Sequence, residues 1–107
     1  MQLGTPIRAE ISRLLGAPVI GFVLARRDFM PFAAMEAGLM LQTLFLAAKD
    51  LGVDSCPLGV LATWRDPLDA EFDVPENMEL LTGFALGYAS DSHTNEFRAE
   101  HPKIELL

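Results

Sequence analysis

The 107-residue sequence predicts an α+β domain whose sheet is left incomplete by this chain alone, and three observations carry that expectation. Two continuous apolar runs of strand length, residues 18–25 (PVIGFVLA) and 80–88 (LLTGFALGY), flank one long helical segment, residues 33–51. That helical segment has almost no polar face. Half of all residues are hydrophobic and the mean hydropathy is +0.26. A chain of this length buries only about two-thirds of the surface its unfolded form exposes, so one small core does not use up that much apolar material.

Taken in order, residues 1–13 read as a leading segment, with a short helix expected from Pro6 to Leu15. Pro6 suits a first helical turn and Gly16 the position just past a helix end. The run 18–25 is rich in β-branched residues, reads as a strand buried on both faces, and is ended by Arg26, Arg27 and Asp28. Phe29, Met30, Pro31 and Phe32 follow as a loop with exposed aromatics or a partner contact.

Residues 33–51 are rich in Ala, Leu and Met, contain no proline, and stop at Gly52, a good helix end. The polar members are only Glu36, Gln42, Thr43, Lys49 and Asp50. A helix apolar around its whole circumference is one buried on every side. It is expected to run through the centre of a dimer.

Residues 53–59 (VDSCPLG) form a short extended segment entering a loop, with Pro57 and Gly59 as the breakers. Asp66 and Pro67 open a short helix reaching Phe72, and residues 74–77 make a turn. The run 80–88 is the second buried strand, where Gly83 and Gly87 admit close backbone approach. Beyond Ala89 the chain turns polar, and residues 90–107 are expected to form an extended C-terminal arm that gains stability by lying on something else. The whole, residues 1–107, reads as one domain with no internal repeat.

Composition excludes several classes. A net charge of −7, from 15 acidic and 8 basic residues, opposes broad nucleic-acid binding, which depends on Lys and Arg neutralising phosphates. One cysteine, Cys56, allows no internal disulfide, and His93 and His101 lie far from it, so no metal site is expected. The most apolar stretch, residues 37–48, is short of the roughly 20 residues a spanning helix needs and is bounded by Glu36 and Lys49. No membrane association and no signal peptide are expected, and the chain reads as cytoplasmic.

Five sequence pieces, in this order, resemble the nitroreductase family of FMN enzymes. They are Ala17-Pro18-Val19-Ile20; Glu36-Ala37-Gly38 with the helix core Leu41-Gln42-Thr43-Leu44-Phe45-Leu46-Ala47-Ala48; the loop Leu51 to Gly59; Leu86-Gly87-Tyr88; and Asn95-x-Phe97-Arg98. The resemblance implies a nitroreductase-like α/β sandwich, present here as its C-terminal half and completed by dimerisation. It implies a homodimer with FMN at the subunit interface. The activity it implies is an oxidoreductase passing electrons from NAD(P)H to small electrophiles such as nitroaromatics or quinones. The family's N-terminal Arg-x-Ser-x-Arg motif has no counterpart in residues 1–16. Two alternatives therefore stand beside the enzyme: a non-catalytic dimerisation module, and a half-protein that works with a separate N-terminal half.

The resemblance also implies site residues. Cys56, Pro57, Leu58, Gly59 and Val60 correspond to the segment whose amides face the flavin ring, and Arg98 to a phosphate ligand, since a guanidinium makes paired contacts with phosphate oxygens. The bland reading of Pro57 and Gly59 is a helix-to-strand connection, and that of Arg98 a solvated arm residue. His101 and Lys103 stand where the family often has a second Arg. No catalytic side chain is expected, because a flavin carries the redox chemistry itself. Cys56 is expected to be a packed, inert thiol and Trp64 a plug in a core or interface.

Overall fold

A computed structural model describes residues 16–106. The expected helix from Pro6 to Leu15 lies outside the described residues. Strand β1 (Val19–Arg26) leads through a 3-10 turn (Arg27–Phe29) into helix α1 (Phe32–Asp50). Strand β2 (Asp54–Leu58), a second 3-10 turn (Gly59–Thr63), helix α2 (Arg65–Glu71) and strand β3 (Met78–Gly87) follow. A last 3-10 turn spans His93–Glu96, and residues 97–106 contain neither helix nor strand.

The sheet has the order β1-β3-β2 and is antiparallel throughout. β3, the longest strand, takes the centre. Pro57 pairs with Phe84 within β2, an edge strand, which is where a proline can sit without breaking a ladder. Lacking an N–H, Pro57 must occupy a non-hydrogen-bonded pair, and the outer edge of β2 loses one donor for pairing with further chain.

Helix α1 covers one sheet face. Phe45 meets Phe84 edge to face, with centroids 6.0 Å apart. The cross-strand partner of Phe84 is Gly21, and a Cβ there would overlap the ring, so glycine makes the space that Phe84 fills. On the opposite face Leu61, 1% exposed, sits on Gly83. α2 buries Leu68, which is 3% exposed.

Burial departs from expectation. Neither strand is buried on both faces in this chain: in β1 only Val23 and Ala25 are buried, and in β3 only Leu80, Gly83 and Ala85. α1 is not buried all round, since only Ala48 is fully covered. Its sheet-facing positions Ala37, Leu41, Leu44 and Phe45 are half-buried, while Phe32, Met35, Leu39 and Leu46 are between 60% and 68% exposed. The reason is supply: three strands and two helices do not provide enough surface to cover a helix on every side. By length and composition α1 is also apolar enough to cross a membrane, contrary to expectation, but one such helix is equally what the core of a packed protein contains.

Candidate functional site

β2 runs directly into the 3-10 turn, and this junction carries five of the six expected site residues. Cys56, Pro57 and Leu58 are the last three residues of β2; Gly59 and Val60 are the first two of the turn. The i→i+3 pattern of a 3-10 turn leaves its leading N–H groups without a partner inside the turn. Among the described residues, its two chain neighbours aside, nothing lies within 4 Å of where a Cβ would stand on Gly59, so the space beside that backbone is open. Val60 is 58% exposed. Donors at an open, glycine-lined backbone suit a flat, electron-accepting ring pressed against them, which is the fit an FMN requires.

Three attachments hold the junction. Leu58 pairs with Gly83, closing the β2 ladder. Leu61 is seated on the same glycine from above. Thr63 Oγ1 donates to Val60 O at 2.8 Å, tightening the turn on itself.

Cys56 departs from expectation: its thiol is exposed rather than packed. Cys56 pairs with Ala85 on an edge strand and so faces away from the Phe84 side that α1 covers. It lines a cleft of about 250 Å3 with Asp54, Gly87, Tyr88 and Asn95, at the end of the sheet where β2 begins and β3 ends. Pro57, Leu58, Gly59, Val60 and Arg98 do not line it. Arg98 stands in the segment after the last 3-10 turn, where its Nη1 donates to Asn95 O and Phe97 O, both at 2.8 Å. The structure thus brings Cys56 and Asn95 to one cleft, while the hydrogen bonds of Arg98 among the described residues go to Asn95 and Phe97 and not to the β2 junction. Trp64 is half-buried, and Phe29 and Phe32 flank a broader trough between β1 and the start of α1.

Asp54 is a residue that sequence reasoning passes over. Its Oδ1 accepts from Lys49 Nζ at 2.7 Å and its Oδ2 from the Ala89 N–H at 2.8 Å. One carboxylate thereby ties the end of α1, the start of β2 and the chain leaving β3. The Lys49 hydrogen bond, then the Ala89 N–H, hold the Asp54 carboxyl below its ordinary value of 3.8. A depressed carboxyl contributes stability above its unfolded-state value and loses it as pH falls through the folded-state value. Thermal melts from pH 7 to pH 3 should therefore show the parent chain above Asp54→Asn at neutral pH and the two converging below about pH 4. A gap independent of pH would show the carboxylate to be idle. The only signal for this role in the sequence is the five-residue spacing of Lys49 and Asp54 across Gly52.

Arg65 is likewise passed over. Its Nε lies 2.8 and 2.9 Å from the two carboxylate oxygens of Asp69, Nη1 donates to Met78 O, and Nη2 donates to Pro75 O at 3.2 Å. The Arg65/Asp69 spacing of four residues within a helix is a readable ion-pair signal. The two carbonyls come from beyond the helix and leave no trace in the sequence.

A family model described as the nitroreductase family matches residues 8–88. Among curated relatives, the nitroreductase NfnB of Mycolicibacterium smegmatis is 37% identical over 83 residues, which make up 78% of this chain and 35% of that protein. The 4-nitrobenzoate reductase of Pseudomonas putida is 30% identical over 91 residues, covering 81% of this chain and 40% of the relative. The crystal structure of the FMN-dependent nitroreductase NfnB from Mycobacterium smegmatis in complex with NADPH superposes with a TM-score of 0.77 at 33% identity, over 92% of this chain and 44% of that one. The chain spans between 35% and 44% of the length of these proteins, and its mixed helix-and-sheet fold is an incomplete half of theirs. With three-quarters of its length matched by the family model and the five sequence pieces falling on β1, α1, β2, β3 and the tail, the chain belongs to the nitroreductase family.

Proposed function

We propose that the chain is the flavin-contacting half of an FMN-dependent oxidoreductase that takes electrons from NAD(P)H and delivers them to small electrophiles, nitroaromatics foremost. The observation that carries this reading is the β2 junction, where Gly59 and Val60 open a turn beside free space. The relatives support the chemistry: one is named for 4-nitrobenzoate, and another is FMN-dependent and was solved with NADPH. Quinones are a second acceptor class of the same electronic type.

When bound, the flavin supplies the hydride and electron transfer. This chain's part is to place donors. The leading amides of the turn would donate hydrogen bonds to the ring and so stabilise negative charge on it, with no charged side chain required. Pro57 fixes its own φ near about −65°, which limits how the backbone enters that contact. Arg98 serves the cofactor phosphate: its two hydrogen bonds among the described residues both use Nη1, leaving Nε and Nη2 for paired contacts with phosphate oxygens. The exposed face of α1 is the surface for a second copy of the chain, with the flavin between the two. Residues 90–107 serve as an arm that lies on that copy, all of those described being exposed.

Flavin absorbance tests this directly. The purified chain should carry, or take up from added FMN, a yellow chromophore with a band at about 450 nm that NADPH bleaches. A colourless chain that also refuses added FMN would overturn the proposal for the chain by itself and leave the non-catalytic module and the half-protein that needs a separate N-terminal half in its place.

A further inference from the structure

We propose that Arg65 is a positioning residue for the β2 junction: its guanidinium locks the 3-10 turn to the central strand, and so fixes where the Gly59 and Val60 amides point. This rests on the flavin reading above.

The segment has two ends. At the first, the β2 ladder sets it against β3 through Leu58 and Gly83. At the second, Leu61 rests on Gly83 by apolar contact, which resists withdrawal of the turn better than its rotation. The rotational constraint comes from Arg65, which lies just beyond the turn and is continuous with it through the Trp64 N–H bond to Leu61 O at 3.1 Å. Its Nη1 and Nη2 grip Met78 O and Pro75 O, at the start of β3 and in the turn before it. Asp69 holds the guanidinium plane from the Nε side. The side chain is only 26% exposed. A planar fork spanning three acceptors fixes direction as well as distance, which one ammonium cannot do. Sites that bind through backbone donors depend on such supporting contacts, because a small misplacement forfeits the hydrogen bonds.

The test compares Arg65→Gln and Arg65→Lys with Arg27→Gln. Arg27 also reaches the start of β3, through an ion pair with Glu79 at 3.0 Å, but is not connected to the Gly59–Thr63 turn. Hydrogen exchange in the flavin-free chain is read at the amides closing the turn, Trp64 among them, and FMN affinity by fluorescence titration. Arg65→Gln is expected to speed exchange in the turn and to weaken FMN, each by about tenfold, with protection in β1 and β3 kept; Arg65→Lys recovers only part, and Arg27→Gln changes neither. If Arg65→Gln does not fold, Arg65→Lys carries the comparison. Turn exchange equal to the parent's in the folded variants overturns the proposal. So does exchange that rises equally in every strand, which is a merely structural role. Should the parent take up no FMN, the functional reading fails by itself and the exchange measurement still decides the role of Arg65.

Discussion

Gly83→Ala is expected to destabilise the chain by about 1–3 kcal/mol or more, the usual cost of forcing extra volume into a filled core. A Cβ on Gly83 would collide with Leu61 Cδ1 and stand 2.9 Å from Leu61 Cβ and 3.1 Å from Gly21 O. The methyl end of a leucine can swing aside, but its Cβ moves only with the backbone, so the 3-10 turn itself must lift. Gly21 O belongs to the neighbouring strand and cannot give without disturbing the ladder. Leu61→Ala, at the most buried large side chain, is expected to cost about 2–5 kcal/mol. The informative variant is the double one: the methyl added at position 83 enters space that Leu61 vacates, so the combined loss should fall short of the sum. Urea unfolding of the four chains measures this cycle. Strict additivity, or a Gly83→Ala chain as stable as the parent, would show that the two residues do not meet. Because Leu61 belongs to the turn that presents Gly59 and Val60, FMN affinity should drop with Gly83→Ala even where the fold survives.

That contact also marks the limit of what the sequence discloses. The helix expected over 33–51 forms over Phe32–Asp50, and the apolar runs 18–25 and 80–88 become Val19–Arg26 and Met78–Gly87. These are legible because long apolar runs bounded by charge, glycine or proline admit few alternatives. Pro57 is not legible as a strand residue. A proline reads as a breaker unless one knows that its partner strand lies on one side only and at a non-hydrogen-bonded pair. The 3-10 turn at Gly59–Thr63 reads as part of a loop, since its pivot is the meeting of Leu61 with Gly83 far along the chain, and no local periodicity records that. Burial is overstated by the sequence for a different reason. Apolar composition says that a surface will be covered, not by which chain, and this chain covers little of α1. The junction residues 56–60 are found through resemblance, whereas Asp54 and Arg65 become visible only through carbonyls and amides brought from elsewhere in the chain.

The exposed face of α1 yields the second large effect. Leu39→Lys is expected to raise the dissociation constant of the proposed homodimer by about a hundredfold or more, because a two-fold interface counts each substitution twice and a buried leucine is worth about 1.5–3 kcal/mol. Leu39 is 68% exposed in the single chain, one turn from Met35 at 60% and two turns from Leu46 at 62%. Between Leu39 and Leu46 lie only Gln42 and Thr43 as polar residues, and Thr43 already spends its hydroxyl on Leu39 O at 3.0 Å. A stripe of this kind on a helix 19 residues long is far more apolar than a folded surface left to water. Sedimentation at micromolar concentration should show the parent as a dimer and Leu39→Lys as a monomer. Lys49→Ala, at the polar end of the helix, should leave the dimer intact. The same substitution at Leu39 should release bound FMN if the flavin lies between subunits, so that loss of mass and loss of colour titrate together. A parent chain that sediments as a well-folded monomer would mean that water tolerates this face, and the case for a second copy against α1 would be gone.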